Sequence, residues 1–211
     1  MVLSGAEVRA RSFASLAAGE RLSAQAARAE ARLAADPALE RMFARQSAQE
    51  GRHAWLFTLA AGRLGLATDS AASDAWFATL PIARRIDAAE FAGDLATLVV
   101  ATQGALEALG AAVLEGVASL PVARPFAPFL ALVLAEERAH QRIGRRAIAR
   151  LVAARRLEPQ AIEPMLMAAR RDGAHSLEQV FDRLQTRAEL RALIAARYEA
   201  LVADFGATLG A

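Results

Sequence analysis

Cysteine is absent from this sequence of 211 residues, and its absence removes several kinds of chemistry. The chain can form no disulfide, iron–sulfur cluster, thiolate zinc site or thiol nucleophile. Lysine is absent as well, so a P-loop lysine and a Schiff-base lysine are excluded. All 25 residues of the Lys and Arg class are arginines, yet the net charge of +2 is too small to indicate nucleic-acid binding by itself.

Proline and aromatic residues are also scarce, with 7 prolines and 6% aromatics in a chain that is 55% hydrophobic and rich in alanine. This composition favours helices over a β-sandwich, and no strand-like alternation is present. The length suits one substantial core, and no low-complexity linker divides the chain. The sequence therefore predicts a single all-α domain over residues 1–211.

Two segments indicate where in the cell the protein is expected to be. The N-terminus carries Glu7, Arg9 and Arg11 where a signal peptide needs an apolar core, which predicts a cytoplasmic protein. Residues 95–114 are long and apolar enough to cross a membrane, but Glu107 lies near their middle. We therefore expect a buried helix and no membrane span.

Helical periodicity and a few stop signals predict the order of the elements. Long helices are expected at about 6–35, 38–66, 88–118 and 126–155, and shorter ones at about 75–86, 160–172 and 176–207. This order describes a four-helix bundle with a long crossover between helices 2 and 3 and additional C-terminal helices.

Two E-x-x-H pairs lie on the core-facing stripes of the second and fourth long helices. Glu50 and His53 follow Phe43 on one stripe, and Glu137 and His140 follow Val133 on the other, in alternating steps of 4 and 3 residues. Chance alone is a poor explanation for both pairs facing the core. The neighbouring Glu136 lies off the stripe and is predicted to be a solvated surface charge.

The other two long helices each place one glutamate on the stripe, Glu20 on the first and Glu107 on the third. Each of them precedes the glutamate of the following E-x-x-H pair by 30 residues, and the two hairpins are related by an offset of 87 residues. Residues in an antiparallel hairpin face each other when the turn lies midway between them, and the midpoints 35 and 122 fall on predicted turns. Glu30 and Glu40 are equally symmetric about residue 35, so this spacing alone does not identify which glutamates face each other in the core.

Four glutamates and two histidines pointing into one core require cations, because buried charge is costly unless it is compensated. Two divalent metal ions would balance four carboxylates. Carboxylate oxygens with one imidazole per metal suit iron or manganese better than zinc or copper. A metal pair is therefore predicted at Glu20, Glu50, His53, Glu107, Glu137 and His140.

This ligand set resembles that of the ferritin-like di-iron carboxylate superfamily. Within it, the chain is most similar to the cyanobacterial aldehyde-deformylating oxygenases, through the stretches QEGRHAWLFTLAAGRLGLATD, ERAHQRIG, DGAHSLEQ (with His175) and RYEALVADFG. The resemblance implies that Glu20 and Glu107 are terminal ligands, that Glu50 and Glu137 bridge the metals, and that each histidine binds one metal. It also implies two iron ions (with manganese as the alternative), O2 as co-substrate and an external electron donor such as a ferredoxin-type protein.

Absent residues narrow the choice within the superfamily. A ribonucleotide-reductase-type radical protein needs a tyrosine beside the metals, and Tyr198, the one tyrosine, lies far along the final helix. A rubrerythrin-like peroxidase usually carries a cysteine-bound iron, and Gly110 stands where it tends to have an extra carboxylate.

The predicted site is surrounded by small residues, namely Gly19, Ser23, Ala24, Ala27, Gly110, Ala111 and Gly144. They fit either tight helix packing or a pocket for an apolar organic substrate with walls formed by Leu16, Phe57, Leu114 and Val133. Gln46 and Gln103, one turn before Glu50 and Glu107, are predicted to hydrogen-bond the ligands or to supply polar groups to the pocket.

The residues favour an O2-dependent oxygenase, and two alternatives stay open. They are a tRNA-modifying di-iron hydroxylase and a non-catalytic ferritin-like iron-binding or iron-oxidising protein. Arginines crowd the fourth helix and its end, at positions 138, 142, 145, 146, 150, 155 and 156. They fit a solvated face, a docking site for an acidic reductant or a site for RNA phosphates, although one tyrosine and two tryptophans offer few platforms for bases.

Overall fold

The computed structural model describes residues 5–64, 70–207 and 209, and these residues form helices without any strand. The α-helices are α1 (Gly5–Leu33), α2 (Pro37–Arg63), α3 (Ser70–Phe77), α4 (Pro81–Phe91), α5 (Leu95–Val99), α6 (Glu107–Ala118), α7 (Ala127–Ala153), α8 (Pro159–Leu184) and α9 (Ala188–Ala207). A π-helical segment, Val100–Leu106, joins α5 to α6, and a 3₁₀ segment, Pro121–Phe126, precedes α7.

The first two helices form a hairpin that turns where the spacing of the glutamates requires. α2 begins at Pro37, whose missing N–H costs nothing at a helix start. The side chain of Asp36 caps this end by accepting a hydrogen bond from the Ala38 N–H at 2.7 Å. The predicted turn around residue 35 is confirmed, although the predicted end of α2 at residue 66 lies outside the described residues.

α5, the π-helical segment and α6 together make one continuous helix, Leu95–Ala118, which we call the third bundle helix. Most of it is buried inside the fold, so its apolar character is that of a core helix and not evidence for a membrane span. Every residue of the π-helical segment is buried. Such segments shift the register of the side chains that follow and are frequent at functional sites.

The four long helices divide the apolar core into two parts. Leu39 and Phe43 of α2 pack with Ile148 of α7 in one part, and Phe57 of α2 packs with Leu130 of α7 in the other. The stretch of each helix between these contacts contains the E-x-x-H pair. The polar cluster therefore lies between two hydrophobic layers that exclude water from it.

Two predicted helices differ from those in the structure. The helix expected at 75–86 is two helices, because Pro81 starts α4 after a break at residues 78–80. The third bundle helix begins at Leu95 and not at residue 88, because Gly93 adopts a φ of +66° and Asp94 caps the new helix through the Thr97 N–H. The cytoplasmic location and the single domain over residues 1–211 stay predictions.

The predicted break near Gly173 was also wrong, since α8 runs without interruption from Pro159 to Leu184. Gly173 is a packing residue. A Cβ atom there would lie 2.1 Å from the Tyr198 hydroxyl oxygen, so α9 can approach α8 only because the side chain is absent. That hydroxyl donates a hydrogen bond to the Arg170 carbonyl at 2.9 Å, which locks the two helices together.

Replacing Gly173 by alanine should therefore lower the free energy of unfolding by about 1–3 kcal/mol, the usual cost of overpacking a core. Gly62→Ala is the matched control, because a Cβ atom there meets nothing within 4 Å. Alanine at that helical position should stabilise the fold by about 0.5–1 kcal/mol. Urea denaturation of both variants measures the difference, and equal effects would contradict the packing role of Gly173.

Candidate metal centre

The structure brings all six predicted residues together in the core. Glu20 comes from α1, Glu50 and His53 from α2, Glu107 from α6, and Glu137 and His140 from α7. All six are buried, and Glu50 and His140 are completely inaccessible. Their ligand-type atoms form two groups, each with all its atoms within 4.8 Å of one another. One group is Glu20, Glu50, His53 and Glu137, and the other is Glu50, Glu107, Glu137 and His140.

The two groups share Glu50 and Glu137, so these carboxylates occupy the middle of the cluster. In the first group, His53 Nδ1 lies 3.3 Å from both Glu20 Oε2 and Glu50 Oε2. The same nitrogen lies 3.5 Å from Glu137 Oε1. This arrangement surrounds a space that one cation could fill.

The second group repeats this geometry around His140. Its Nδ1 lies 2.7 Å from Glu50 Oε1, 3.4 Å from Glu107 Oε2 and 4.0 Å from Glu137 Oε1. The two imidazole rings lie 6.2 Å apart, centroid to centroid, on either side of the shared carboxylates. The hairpin repeat predicted from the sequence is thus visible as two equivalent half-sites.

The buried carboxylates of the cluster carry more negative charge than the cationic groups around them balance. Burial raises the pKa of Glu20 and of Glu137, and the neighbouring Glu50 carboxylate raises both further. Burial opposes ionisation of Glu50 too, but contacts with His140 and His53 outweigh it and lower the Glu50 pKa. Burial opposes protonation of His140, yet contacts with Glu107 and Glu50 raise its pKa to about 11. The histidines act as the counter-charges of the carboxylates.

A metal pair fits this donor set. Glu50 Oε2, Glu137 Oε1 and His140 Nδ1 are buried without a hydrogen-bond partner, although His140 Nδ1 and Glu50 Oε1 are only 2.7 Å apart. Buried polar atoms normally find a partner, so three such atoms in one cluster point to a bound ion. Divalent cations would replace the protons, and carboxylates with one imidazole for each ion suit iron or manganese.

A network of side-chain amides extends from the cluster toward one end of the bundle. Gln46 Nε2 donates to Glu107 Oε1 at 3.1 Å, and its Oε1 accepts from Gln103 Nε2 at 3.0 Å. Gln103 Nε2 also donates to Glu30 Oε2 at 3.1 Å. The predicted hydrogen bond to a cluster residue is therefore present for Gln46, whereas Gln103 is connected to the cluster only through Gln46.

Glu30 is a residue that the sequence analysis missed. It is completely buried, and burial raises the pKa of its carboxyl group. A signal was available, because Glu20, Ser23, Ala27 and Glu30 continue one helical stripe in steps of 3 and 4 residues.

The prediction for Glu136 was wrong, because it is not a free surface charge. Its side chain is 24% exposed, and Oε2 lies 2.5 Å from His53 Nε2. Its other oxygen accepts a hydrogen bond from Gln49 Nε2 at 3.2 Å. Glu136 points off the stripe of its own helix, but α2 lies on that side and brings His53 to it.

A narrow, mostly apolar slot opens between α1 and α6 beside the cluster. Its volume is about 40 Å³. It is lined by Ser15, Leu16, Gly19, Glu20, Ser23, Phe77, Leu106, Glu107, Leu109, Gly110, Val113, Glu137 and Val180. Of the predicted pocket residues, Gly19, Ser23, Gly110 and Leu16 line it, whereas Gly144 packs tightly against Gln103.

The sequence matches no protein-family model and no curated protein. The fold is similar to that of a solved structure, "Protein 19 with aldehyde deformylating oxidase activity from Synechococcus". The TM-score is 0.71 and the identity 20%, over 99% of this chain and 93% of that chain. This likeness confirms the predicted all-helical, ferritin-like fold, and at this identity it is a likeness of fold and not of activity.

Metal analysis can test the two groups one residue at a time. We expect about two metal ions per chain in the wild-type protein, as in other helical bundles with this donor set. His53→Ala and His140→Ala should each retain about one, whereas Glu50→Ala and Glu137→Ala should lose both, because these carboxylates belong to both groups.

Glu115→Gln is the control, because Glu115 pairs with Arg197 at 2.6 Å outside the cluster. Anaerobic loading with Fe²⁺ or Mn²⁺, followed by gel filtration and elemental analysis, gives the stoichiometry. Full metal content in Glu50→Ala and Glu137→Ala would refute the assignment.

Proposed function

We propose that this protein is a non-haem di-iron, O2-dependent oxygenase that acts on an apolar organic substrate of the fatty-aldehyde class. One observation carries the proposal: the slot is lined mainly by apolar residues and also by Glu20, Glu107 and Glu137 of the cluster. A substrate in the slot would lie directly beside the metal ions.

The roles follow from the two groups. Glu20 and His53 would hold one ion, Glu107 and His140 the other, and Glu50 and Glu137 would bridge them. A bound pair of iron ions supplies the redox chemistry with O2 that no side chain of this protein provides. The protein positions the ions, keeps water out with the two hydrophobic layers, and orients the substrate along the slot.

The shape of the slot supports a slender substrate. Its walls are mostly aliphatic and its volume is about 40 Å³, which suits the end of an unbranched chain but not a nucleoside. This favours the oxygenase over a tRNA-modifying hydroxylase. The only carboxylates that line the described slot are the cluster residues Glu20, Glu107 and Glu137, which also favours an organic substrate over passage of iron into a store.

The printed name of the structural neighbour points to the same substrate class, since that protein has aldehyde deformylating oxidase activity. Removal of a formyl group with O2 needs electrons from outside the enzyme. An external donor, such as an acidic ferredoxin-type protein, is therefore part of the proposal.

The outer faces of α2 and α7 suit such a donor. Both helices flank the cluster, and their exposed arginines are Arg41, Arg45, Arg52, Arg63, Arg138, Arg142, Arg146 and Arg150. Glu40 is the one exposed acidic residue on the described length of these two helices. Trp55, Leu59 and Leu132 add exposed apolar area beside the arginines. A basic surface with apolar residues, close to the metals, is complementary to an acidic electron-transfer protein.

The substrate assignment predicts turnover of long-chain aldehydes that requires both O2 and a reductant. Gly110→Leu should lower this turnover by about tenfold or more, because the new side chain would fill the slot. A Cβ atom at Gly110 meets nothing within 4 Å, so the helix can accept the substitution. Gas chromatography of the shortened product and a formate assay measure the reaction.

Gly62→Leu is the matched control, since its Cβ is also unobstructed but lies away from the slot. Metal content should be unchanged in both variants. Aldehyde turnover that survives Gly110→Leu, or no O2-dependent turnover in the metal-loaded wild type, would contradict the proposal.

The docking surface predicts a separate effect. Combining Arg45→Glu with Arg142→Glu should raise the KM for an acidic donor and leave the other kinetic parameters unchanged. The reason is that charges at the edge of an interface mainly control the rate of association. Arg187→Glu, in the exposed connection between α8 and α9, is the control. Reduction by a small, uncharged chemical donor should be equal in all three proteins, and an unchanged KM for the acidic donor would remove this surface from the proposal.

A further inference from the structure

The residues that precede the two E-x-x-H glutamates are linked across α2 and α7. Gln49 precedes Glu50 and Glu136 precedes Glu137, so they are related by the same offset of 87 residues as the ligands. Each contacts the histidine of the other helix. Gln49 Oε1 lies 3.2 Å from His140 Nε2, and Glu136 Oε2 lies 2.5 Å from His53 Nε2.

The two residues also contact each other, since Gln49 Nε2 donates to Glu136 Oε1 at 3.2 Å. The result is an unbroken chain of four side chains, in the order His140, Gln49, Glu136 and His53. It runs along the edge of the cluster where Glu136 is partly exposed. Arg52 lies beside Glu136 on the exposed side of the chain, with Nη2 3.8 Å from Glu136 Oε1.

Only one arrangement of hydrogens suits this chain. A carboxylate accepts hydrogen bonds, so the amide group of Gln49 must turn its NH2 toward Glu136 and its oxygen toward His140. His140 must then donate from Nε2, and His53 must donate from Nε2 to Glu136. Both Nδ1 atoms are left to face the carboxylate cluster, which is the tautomer that metal binding requires.

The chain breaks the symmetry of the two half-sites. The imidazole of His53 donates to a carboxylate, whereas that of His140 donates to a neutral amide. A carboxylate partner makes an imidazole a stronger ligand, and such partners affect metal affinity by about 10- to 100-fold. The half-sites also differ in the hydrogen bond from Gln46 to Glu107, but Gln49 and Glu136 are the residues that contact the histidines themselves.

We propose that Gln49 and Glu136 are positioning residues that make the two metal positions unequal, so that the Glu20–His53 position binds its ion more tightly and fills first. This inference rests on the metal centre of the proposed function. It concerns the order and affinity of binding and not the presence of metal.

An exchange of the two residues tests it. In Gln49→Glu combined with Glu136→Gln, every hydrogen bond of the chain can form again and the side chains keep their size. Both histidines still donate from Nε2, and only the central bond reverses, with the amide at position 136 donating to the carboxylate at position 49. The preference should then move to the Glu107–His140 position.

Four proteins give the comparison. His140→Ala leaves the His53 position and His53→Ala leaves the His140 position, each made in the wild-type and in the exchanged background. Titration with Mn²⁺ by calorimetry should show about 10-fold or more tighter binding in His140→Ala than in His53→Ala, and the opposite order after the exchange.

Glu136→Gln alone provides a second test, since it leaves an amide beside each histidine and should bring the two affinities together. Circular dichroism and thermal unfolding confirm that each variant is folded, and Glu115→Gln should leave both affinities unchanged. The same order of affinities before and after the exchange, with two ions still bound, would overturn this inference and leave the proposed function intact. Absence of bound metal in the wild-type protein would instead refute the proposed function.

Discussion

Compensation of four buried carboxylates is the constraint on which the structure of this bundle depends. Placing such charge in an apolar core is prohibitively costly unless cations or protons balance it. The two buried histidines supply part of the balance, and contacts with Glu107 and Glu50 raise the pKa of His140 to about 11. Divalent ions would balance the carboxylates fully and would satisfy the polar atoms that otherwise lack partners. The two hydrophobic layers keep these interactions strong by keeping the local dielectric low.

The cluster is symmetric, but what surrounds it is not. The hairpin repeat maps each residue of the cluster onto another residue of the cluster. By contrast, it maps the polar residues Glu30, Gln46 and Gln103 onto Val117, Val133 and Leu16, in that order. The polar network therefore occupies one end of the bundle, and the apolar slot with Leu16 in its wall occupies the other. In the proposed function, a two-fold cluster with unlike ends would give the substrate one side of the metal ions and leave the other side for fixed hydrogen bonds.

The close approach of the helices has a similar local cause. Gly144 has no side chain where a Cβ atom would lie 2.3 Å from that of Gln103. This lets α7 approach the π-helical segment and holds Gln103 in the amide network. Helix packing and site geometry are thus set by the same residues, and a larger side chain at Gly144 would disturb both.

Helical periodicity was enough to predict the long helices, apart from the start of the third, and it placed the six residues of the cluster on core-facing stripes. The reason is that a helix fixes the angle between its own residues, so Glu137 and His140 had to share the face of Val133. The offset of 87 residues then made the pattern too regular to be a surface feature. Turn positions followed too, because a hairpin that pairs Glu20 with Glu50 must turn near residue 35.

Only the tertiary structure decided which residues of neighbouring helices contact the side chains that lie off the core-facing stripe. Glu136 looked like a surface charge because it points away from the core stripe, yet α2 lies on that side and supplies His53. Gly173 looked like a helix end, yet it makes room for the Tyr198 hydroxyl group of α9. In both cases the partner lies far away in sequence. The sequence by itself determined the direction of each side chain on its own helix, and the packing of the helices determined what it contacts.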